Sequence, residues 1–249
     1  MTEARDRLIV ALDVSSLERI GSLVDLLAED VRLYKVGLEL FSSVGADAVT
    51  ALRDRNKKVF LDLKLHDIPK TVERAAGAIA RLGASMTTVH ALGGADVVSA
   101  AREGLESATP AGGARPLLLA VTLLTSHRVE DLKKIFPGDW ELEDRVLELA
   151  SMAAAAGADG VVCSPLEVAA VKKACPGVLA VTPGVRVSEV AGDDQRRTAS
   201  PERAIADGAD FLVVGRPICG AADPAAATRR VLEQMKSALE RRLEPPDNP

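Results

Sequence analysis

The stretch that decides the fold is residues 61–72, which read LDLKLHDIPKTV. Side chains alternate between two faces along an extended strand, so its three leucines share one face. Asp62 and Lys64 share the other face, and Pro69 ends the extended run. Asp67 continues the polar cluster beyond the strand end. Several ionisable groups at the end of one strand indicate a functional site rather than an ordinary surface.

Composition restricts the class of protein. The 249 residues match the usual length of a single α/β barrel, and with 47% apolar but 2% aromatic residues the core must be aliphatic, as in helix-covered parallel sheets. The net charge of −5 without a basic tract argues against nucleic acid. Three widely spaced cysteines favour a reducing cytoplasm. No signal peptide and no membrane-spanning run is expected.

Eight predicted strands alternate with predicted helices. The strands are expected at Leu8–Asp13, Leu33–Gly37, Lys58–Lys64, Met86–His90, Pro116–Leu123, Gly160–Cys163, Val178–Thr182 and Phe211–Val214. The helices are expected from Ser15 or Ser16 to about Ala28, near Gly45–Arg55, from Pro69 to about Leu82, and at Ala95–Ser107, Glu141–Ala156, Pro165–Ala174 and Pro224–Arg242. This alternation predicts an α/β protein, a (β/α)8 TIM barrel with a single domain over residues 1–243 and a frayed tail at 244–249. An open doubly wound sheet is the alternative, although no glycine fingerprint follows the first strand.

In such a barrel the active site lies at the carboxyl ends of the strands. Six polar residues fall at or just past these ends: Asp13, Lys35, Asp62, Lys64, His90 and Thr125. Any one of them alone would be read as a surface ion pair or a capped loop. As a group they indicate a site instead, because charged residues inside a barrel cannot easily reach water. Lys35 and Lys64 could be neutralised by Asp62 and Asp67.

Two later regions predict a phosphate site. Residues 184–202 have little apolar periodicity, which indicates a lid or binding loop, the alternative being a solvated disordered loop. The loops after strands seven and eight frequently bind phosphate in these barrels. Four residues there would together hold a phosphate monoester: Arg186, Gln195, Gly215 and Arg216. The three histidines are scattered, so no metal site is expected.

Taken together, these residues resemble the orotidine 5′-phosphate decarboxylases over nearly the whole chain. The resemblance is carried by Leu12-Asp13, Lys35-Val36-Gly37, the pattern D-x-K-x-x-D-I-P at 62–69, Thr182–Arg186 and Gly215–Pro217. It implies a TIM barrel that decarboxylates orotidine 5′-monophosphate to UMP in pyrimidine biosynthesis, without a metal or cofactor. It also implies a homodimer whose active sites lie at the interface.

The same resemblance implies a role for each matched residue. Lys64 would donate the proton to the carbon that loses CO2, and the charges of Lys35, Asp62, Lys64 and Asp67 would alternate in sign. Asp67 and Thr71 would be supplied by the partner subunit. Asp13 and Lys35 would bind the ribose hydroxyls, Thr125 would lie near the pyrimidine, and Arg186, Gln195, Gly215 and Arg216 would hold the phosphate.

Two alternatives stay open at this point. A related D-x-K-x-x-D barrel could act on a sugar phosphate, as keto-gulonate phosphate decarboxylase or hexulose phosphate synthase does, with a divalent metal. Ile68-Pro69 and the Arg186/Gln195 loop argue against it, and Mg²⁺ dependence would discriminate. A non-catalytic nucleotide-binding protein on the same scaffold would bind UMP without turnover.

Overall fold

The computed structural model describes residues 3–186 and 197–243 of the chain. Within these ranges eight parallel strands close into a barrel in sequence order, and the eighth strand pairs with the first. The closure confirms the predicted single-domain (β/α)8 barrel and overturns the open doubly wound alternative, whose edge strands would stay apart. The predicted frayed tail, residues 244–249, lies outside the described residues.

The predicted strands are all present, with ends shifted by at most two residues. Over the described ranges, the strands are β1 (Leu8–Ala11), β2 (Leu33–Val36), β3 (Lys58–Leu65), β4 (Met86–His90), β5 (Leu117–Val121), β6 (Gly160–Val162), β7 (Leu179–Thr182) and β8 (Phe211–Val214). The helices are α1 (Ala4–Arg7), α2 (Leu17–Leu26), α3 (Leu38–Val44), α4 (Asp47–Arg53), α5 (Pro69–Leu82), α6 (Ala95–Ala108), α7 (Val129–Ile135), α8 (Leu142–Ala155), α9 (Val168–Ala174), α10 (Pro201–Ala206), α11 (Arg216–Cys219) and α12 (Pro224–Leu243).

The barrel interior is filled by an apolar cluster separate from the layer between barrel and helices. It consists of Ile9, Ala11, Leu33, Phe60, Met86, Leu119, Val181 and Val213. Because side chains repeat every two residues on one face of a strand, the inward face continues from Leu33 to Lys35 and from Phe60 to Asp62. The apolar filling therefore gives way to charged side chains toward the carboxyl ends of β2 and β3.

Repeated connections at the opposite end of the barrel hold the strands in register. Three glycines with positive φ lie at or just after helix C-termini, where this conformation is common: Gly83, Gly157 and Gly208. Asp159 Oδ2 accepts hydrogen bonds from the Leu118 N–H (2.7 Å) and from Arg115 Nη1 (2.8 Å). Asp210 Oδ2 similarly accepts one from the Ala180 N–H (2.9 Å). These carboxylates tie the starts of β5 and β7 to the connections entering β6 and β8.

The segment after β2 differs from the prediction. One helix was expected near Gly45–Arg55, but two helices, α3 and α4, are present. They are separated at Gly45, whose φ of +61° is accessible mainly to glycine and whose N–H donates to the Phe41 carbonyl at 2.8 Å. Gly45 therefore ends one helix and does not begin the other.

Short helices account for the remaining differences. The predictions did not include α1, α10 or α11. For the long polar segment 125–140 the sequence predicts one helical turn, whereas α7 within it has seven residues. Helices of four to seven residues carry too few apolar repeats to give a helical period. The helix predicted at Pro165–Ala174 begins at Val168, because Ser164 Oγ accepts from the Leu166 N–H and forms a turn. No helix in the described part of the chain is long and apolar enough to cross a membrane.

Candidate active site

A cavity of about 350 Å³ opens at the carboxyl ends of the strands, within the usual range for a small-molecule site. Eight of the predicted site residues line it: Asp13, Lys35, Asp62, Lys64, Thr125, Arg186, Gly215 and Arg216. Asp67 and Thr71 do not line it. Gln195 lies outside the described residues. The structure therefore brings together, in one cavity, residues from the ends of β1, β2, β3, β5, β7 and β8.

Four charged residues at the ends of β1, β2 and β3 line the cavity and alternate in sign. Lys64 Nζ donates to Asp62 Oδ2 at 2.9 Å, and Lys35 Nζ lies 3.6 Å from the same oxygen. Lys35 Nζ also lies 3.9 Å from Asp13 Oδ1. We call these four residues the charge array. Asp62 is 7% exposed, so its carboxylate depends on the two ammonium groups and on hydrogen bonds for stabilisation in place of water.

A bulge in β3 positions Lys64. Leu61 pairs with Thr87 and Leu65 with Val89, so four residues of β3 span two residues of β4. Lys64 lies within the bulge at φ +50°, a conformation that a non-glycine residue adopts at a cost of about 1 kcal/mol or more. The extra residues number two, so the alternation is preserved, and Leu61 and Leu65 both pack on the helical side.

Thr88 stabilises this bulge and was missed by the sequence analysis. Its fully buried Oγ1 accepts from the Lys64 backbone N–H at 2.8 Å, which the strand ladder leaves unpaired. The same hydroxyl donates to Asp62 Oδ1 at 2.9 Å. One side chain thus fixes both the carboxylate and the backbone of the residues that form the charge array. A threonine inside an apolar strand gives no sequence signal for this, except that it lies on the inward face.

Two glycines make space for the array. A Cβ at position 37 would lie 2.9 Å from Lys35 Nζ, and one at position 215 would lie 2.6 Å from Asp13 Oδ2. Both distances are shorter than a carbon atom tolerates, so any larger residue at Gly37 or Gly215 would displace a charged group. The place of Gly215 beside a bound phosphate stays a prediction.

Arginines after β7 and β8 border one side of the cavity. Arg186 follows β7 and lines the cavity with Gly184, while Arg216 begins α11 after β8. The Arg186 N–H donates to the Ala199 carbonyl at 2.9 Å, and the Ala199 N–H donates to the Gly184 carbonyl at 3.3 Å. The two described ends of the predicted binding loop are therefore paired with each other. We call this the phosphate side of the cavity, after the ligand group that the sequence predicts there.

Residues 123–126, which follow β5, all line the cavity; we call them the base-side segment, because the resemblance predicts Thr125 near the pyrimidine. Thr125 is buried, at 6% exposure. The segment begins directly after β5 and leads into α7. Thr125 and Ser126 are the hydroxyl-bearing residues of this segment.

Asp67 and Thr71 lie on the outer surface of the single chain. Both are exposed, and Asp67 Oδ1 accepts from the neighbouring Ile68 N–H at 2.6 Å. Ile68, between them in sequence, is 68% exposed. Asp67 and Thr71 therefore lie outside the cavity of their own chain, which is compatible with the prediction that they enter the site of another subunit.

His90 lies near the array without lining the cavity. Burial lowers its pKa to about 4, and the nearby histidines and Lys64 act in the same direction. Its Nδ1 accepts from the Leu92 N–H at 3.4 Å, which also favours the neutral ring. Among residues 3–186 and 197–243, no group of three His, Cys, Asp or Glu side chains could hold a metal ion.

Fold and site together define a class, the (β/α)8-barrel enzymes with their catalytic residues at the carboxyl ends of the strands. The model of the Orotidine 5′-phosphate decarboxylase / HUMPS family matches residues 6–231, and the chain belongs to this family. A relative from Syntrophotalea carbinolica named orotidine 5′-phosphate decarboxylase is 47% identical over 242 residues, covering 96% of this chain and 99% of the relative.

Other comparisons agree. A protein of the same name from Pelobacter propionicus is 44% identical over 234 residues, covering 94% of this chain and 96% of the relative. The crystal structure of orotidine 5′-phosphate decarboxylase from Lactobacillus acidophilus superposes with a TM-score of 0.82 at 43% identity, covering 92% of this chain and 99% of that chain. The resemblance stated from the sequence motifs is thereby confirmed at the level of the family.

Proposed function

We propose that this chain decarboxylates orotidine 5′-monophosphate to UMP in pyrimidine biosynthesis, with no metal or organic cofactor. The observation that carries the proposal is the Lys64 ammonium, held 2.9 Å from a buried carboxylate inside the cavity of a barrel of this family. An ammonium fixed in this way can both attract negative charge and deliver a proton.

The reaction needs both abilities. The bond between C6 of the pyrimidine and the carboxyl carbon breaks, CO2 leaves, and the electron pair stays on C6. The Lys64 ammonium stabilises this pair and then transfers its proton to C6, and the lysine regains a proton from water. Asp62, held by Thr88, fixes the direction of the ammonium. Lys35 and Asp13, which both line the cavity with 3.9 Å between Nζ and Oδ1, are proposed to bind the ribose hydroxyls.

One cation does not supply the whole rate enhancement. Enzymes lower barriers by about 8–23 kcal/mol, whereas one preorganised electrostatic group contributes about 3–4 kcal/mol. Binding of a distant group can supply the rest by holding the reacting ring in place. Arg186, Gln195, Gly215 and Arg216 are proposed to bind the 5′-phosphate, and the paired loop ends at Gly184 and Ala199 support a preformed phosphate side.

A homodimer completes the proposal. Asp67 and Thr71 would enter the cavity of the partner subunit, where Asp67 would extend the charge array beyond Lys64. The exposure of both residues and of Ile68 in the single chain supports this arrangement. An Asp67 carboxylate near the substrate carboxylate would also favour its loss by repulsion.

The test is an absorbance assay with purified protein and orotidine 5′-monophosphate in EDTA. We expect the substrate absorbance to fall at the same rate with EDTA as without it. Lys64→Ala should abolish turnover while UMP binding stays measurable by calorimetry. Lys58→Ala is the matched control, since Lys58 lies at the exposed start of the same strand, and it should leave turnover unchanged.

Three outcomes would contradict the proposal. No turnover with intact UMP binding would indicate the non-catalytic nucleotide-binding protein. Turnover of a sugar phosphate that requires Mg²⁺ would indicate the related metal-dependent barrels. Substantial activity in Lys64→Ala would refute the proton-donor assignment.

A further inference from the structure

A buried ion pair at the carboxyl end of the barrel has no role in the steps above. Arg197 Nη1 donates to Glu167 Oε1, and the two side chains are only 12% and 6% exposed. Neither residue lines the 350 Å³ cavity. The pair therefore lies behind the cavity wall, where it can act on a ligand only through other residues.

The rest of the Arg197 guanidinium holds the base-side segment. Its Nη2 donates to the carbonyl oxygens of Leu123 (3.2 Å) and Leu124 (3.0 Å), the residues directly before Thr125. The guanidinium is planar and presents its donors in a fixed fork. The orientation of Arg197 therefore determines where the backbone leading to Thr125 lies.

The loop after β6 fixes the other side of the pair. Glu167 Oε2 accepts from the Ser164 N–H at 2.9 Å, and Ser164 Oγ donates to the Arg197 carbonyl at 3.3 Å. Glu167 and Ser164 thus hold both the side chain and the backbone of Arg197. Three loops, after β5, β6 and β7, meet at this one residue.

Arg197 is also connected to the phosphate side through its own strand of chain. Two residues further on, Ala199 exchanges backbone hydrogen bonds with Arg186 and Gly184. A continuous path therefore runs from Arg186 through Ala199 to Arg197, and from Arg197 to the carbonyls before Thr125. Its hydrogen bonds are 2.9–3.3 Å long, and one residue, Thr198, separates Ala199 from Arg197.

Stability alone does not account for the pair. Two buried charges lose hydration that their attraction only partly restores, so an apolar pair of similar volume often gives equal stability. Burial raises the pKa of the Glu167 carboxyl, and the Arg197 guanidinium opposes that shift. What an apolar pair could not do is hold two backbone carbonyls in a fixed direction.

We propose that Arg197 is a positioning residue that couples the phosphate side of the cavity to the base-side segment. A nucleotide bound through its phosphate then meets Thr125 and Ser126 correctly placed against its ring. The inference rests on the proposed function for the identity of the ligand. It assigns to Arg197 and Glu167 no contact with the substrate.

The test compares Arg197→Lys with Arg115→Lys. A lysine at 197 keeps the charge beside Glu167 but cannot also bond both carbonyls. Arg115 is the matched control because it forms a similar half-buried pair, with 2.7 Å between its Nη2 and Asp159 Oδ1, at the opposite end of the barrel. Glu167→Gln is the second variant, which keeps the shape of the pair and removes one charge.

Each variant is assayed with orotidine 5′-monophosphate and with orotidine, which lacks the phosphate. We expect Arg197→Lys to lower kcat/KM for the nucleotide about 10-fold or more, mainly through kcat, and for the nucleoside less than about 3-fold, since only the nucleotide uses the coupling. Glu167→Gln should change the same ratio in the same direction. Arg115→Lys should lose stability without changing the ratio.

An equal loss with both substrates would overturn the coupling, and so would an unchanged nucleotide rate in a folded Arg197→Lys. Should Arg197→Lys fail to fold, an unchanged ratio in Glu167→Gln would overturn it. Absence of turnover in the unmodified protein would instead refute the proposed function. The difference in affinity between UMP and uridine, measured in the same variants, would then decide the coupling.

Discussion

Thr88→Val tests whether one buried hydroxyl holds the charge array. Valine replaces threonine with almost the same volume, so the change removes the hydroxyl and little else. Thr88 Oγ1 donates to Asp62 and accepts from the Lys64 N–H, and the residue is fully buried. The variant therefore leaves a carboxylate oxygen and a backbone N–H without this partner.

The magnitude follows from these two bonds. A hydrogen bond to a charged group contributes about 1.5–3 kcal/mol, and a buried donor left unpaired costs about 1–3 kcal/mol. The extra buried methyl of valine offsets about 1 kcal/mol. We expect a loss of about 3 kcal/mol in the free energy of unfolding, and about a 10- to 100-fold lower kcat because Lys64 and Asp62 lose their fixed geometry.

Thr87→Val is the matched control. Thr87 is also fully buried in β4, but it faces the helices, and its hydroxyl donates only to the Leu61 carbonyl at 2.9 Å. Its variant should lose about 1 kcal/mol and keep kcat. Thr88→Ser restores the hydroxyl and should restore kcat. Urea unfolding and steady-state decarboxylation measure both quantities, and a Thr88→Val protein with an unchanged kcat would refute the positioning role of Thr88.

Three further predictions address the interface, the cavity wall and pH. Mixing inactive Lys64→Ala and Asp67→Ala chains should restore about a quarter of the activity, because half of randomly mixed dimers have one intact site; no recovery would mean that Asp67 serves its own chain. Gly215→Ala should raise KM several-fold with little loss of stability, because its Cβ would displace the exposed Asp13 carboxylate; an unchanged KM would contradict this. The folded-state pKa of His90, about 4, lies below its ordinary value of 6.5, so the unfolded chain binds the extra proton between these values. Stability should fall by about 2–3 kcal/mol as the pH falls from 6.5 to 4, and His90→Gln should remove that part of the slope in urea titrations at several pH values.

The sequence predicted the barrel because its signal is repeated and local. Each strand is a short, largely apolar run, and each is followed by a helical or loop segment before the next run. The same regularity predicted Asp13, Lys35 and Asp62 at the cavity, since all three lie at the ends of such runs. The split at Gly45 was not predicted, because a glycine within an apolar pattern can equally begin, end or interrupt a helix.

Residues that act through another residue could not be predicted from the sequence. Arg197 and Glu167 are thirty residues apart, and only the closed barrel brings their loops together. Each alone resembles an ordinary surface charge, and the arginine follows another arginine in a polar run. Asp13, Lys35 and Asp62 could be predicted from the ends of the strands, whereas the Arg197–Glu167 pair depends on contacts between loops.

The alternation rule predicted the face of Lys64 correctly, but it did not predict the bulge that places this residue there. Strict alternation places Asp62 and Lys64 on the same face, and both do line the cavity. In the structure, however, Lys64 has a positive φ and its backbone leaves the ladder. A bulge of one residue would have reversed the face of Leu65, whereas the two extra residues keep it on the helical side. The bulge therefore keeps the charged pair in the cavity and the leucines on the helical side, but it leaves the Lys64 N–H without a partner in the strand ladder. The hydroxyl of Thr88 accepts the hydrogen bond from this N–H.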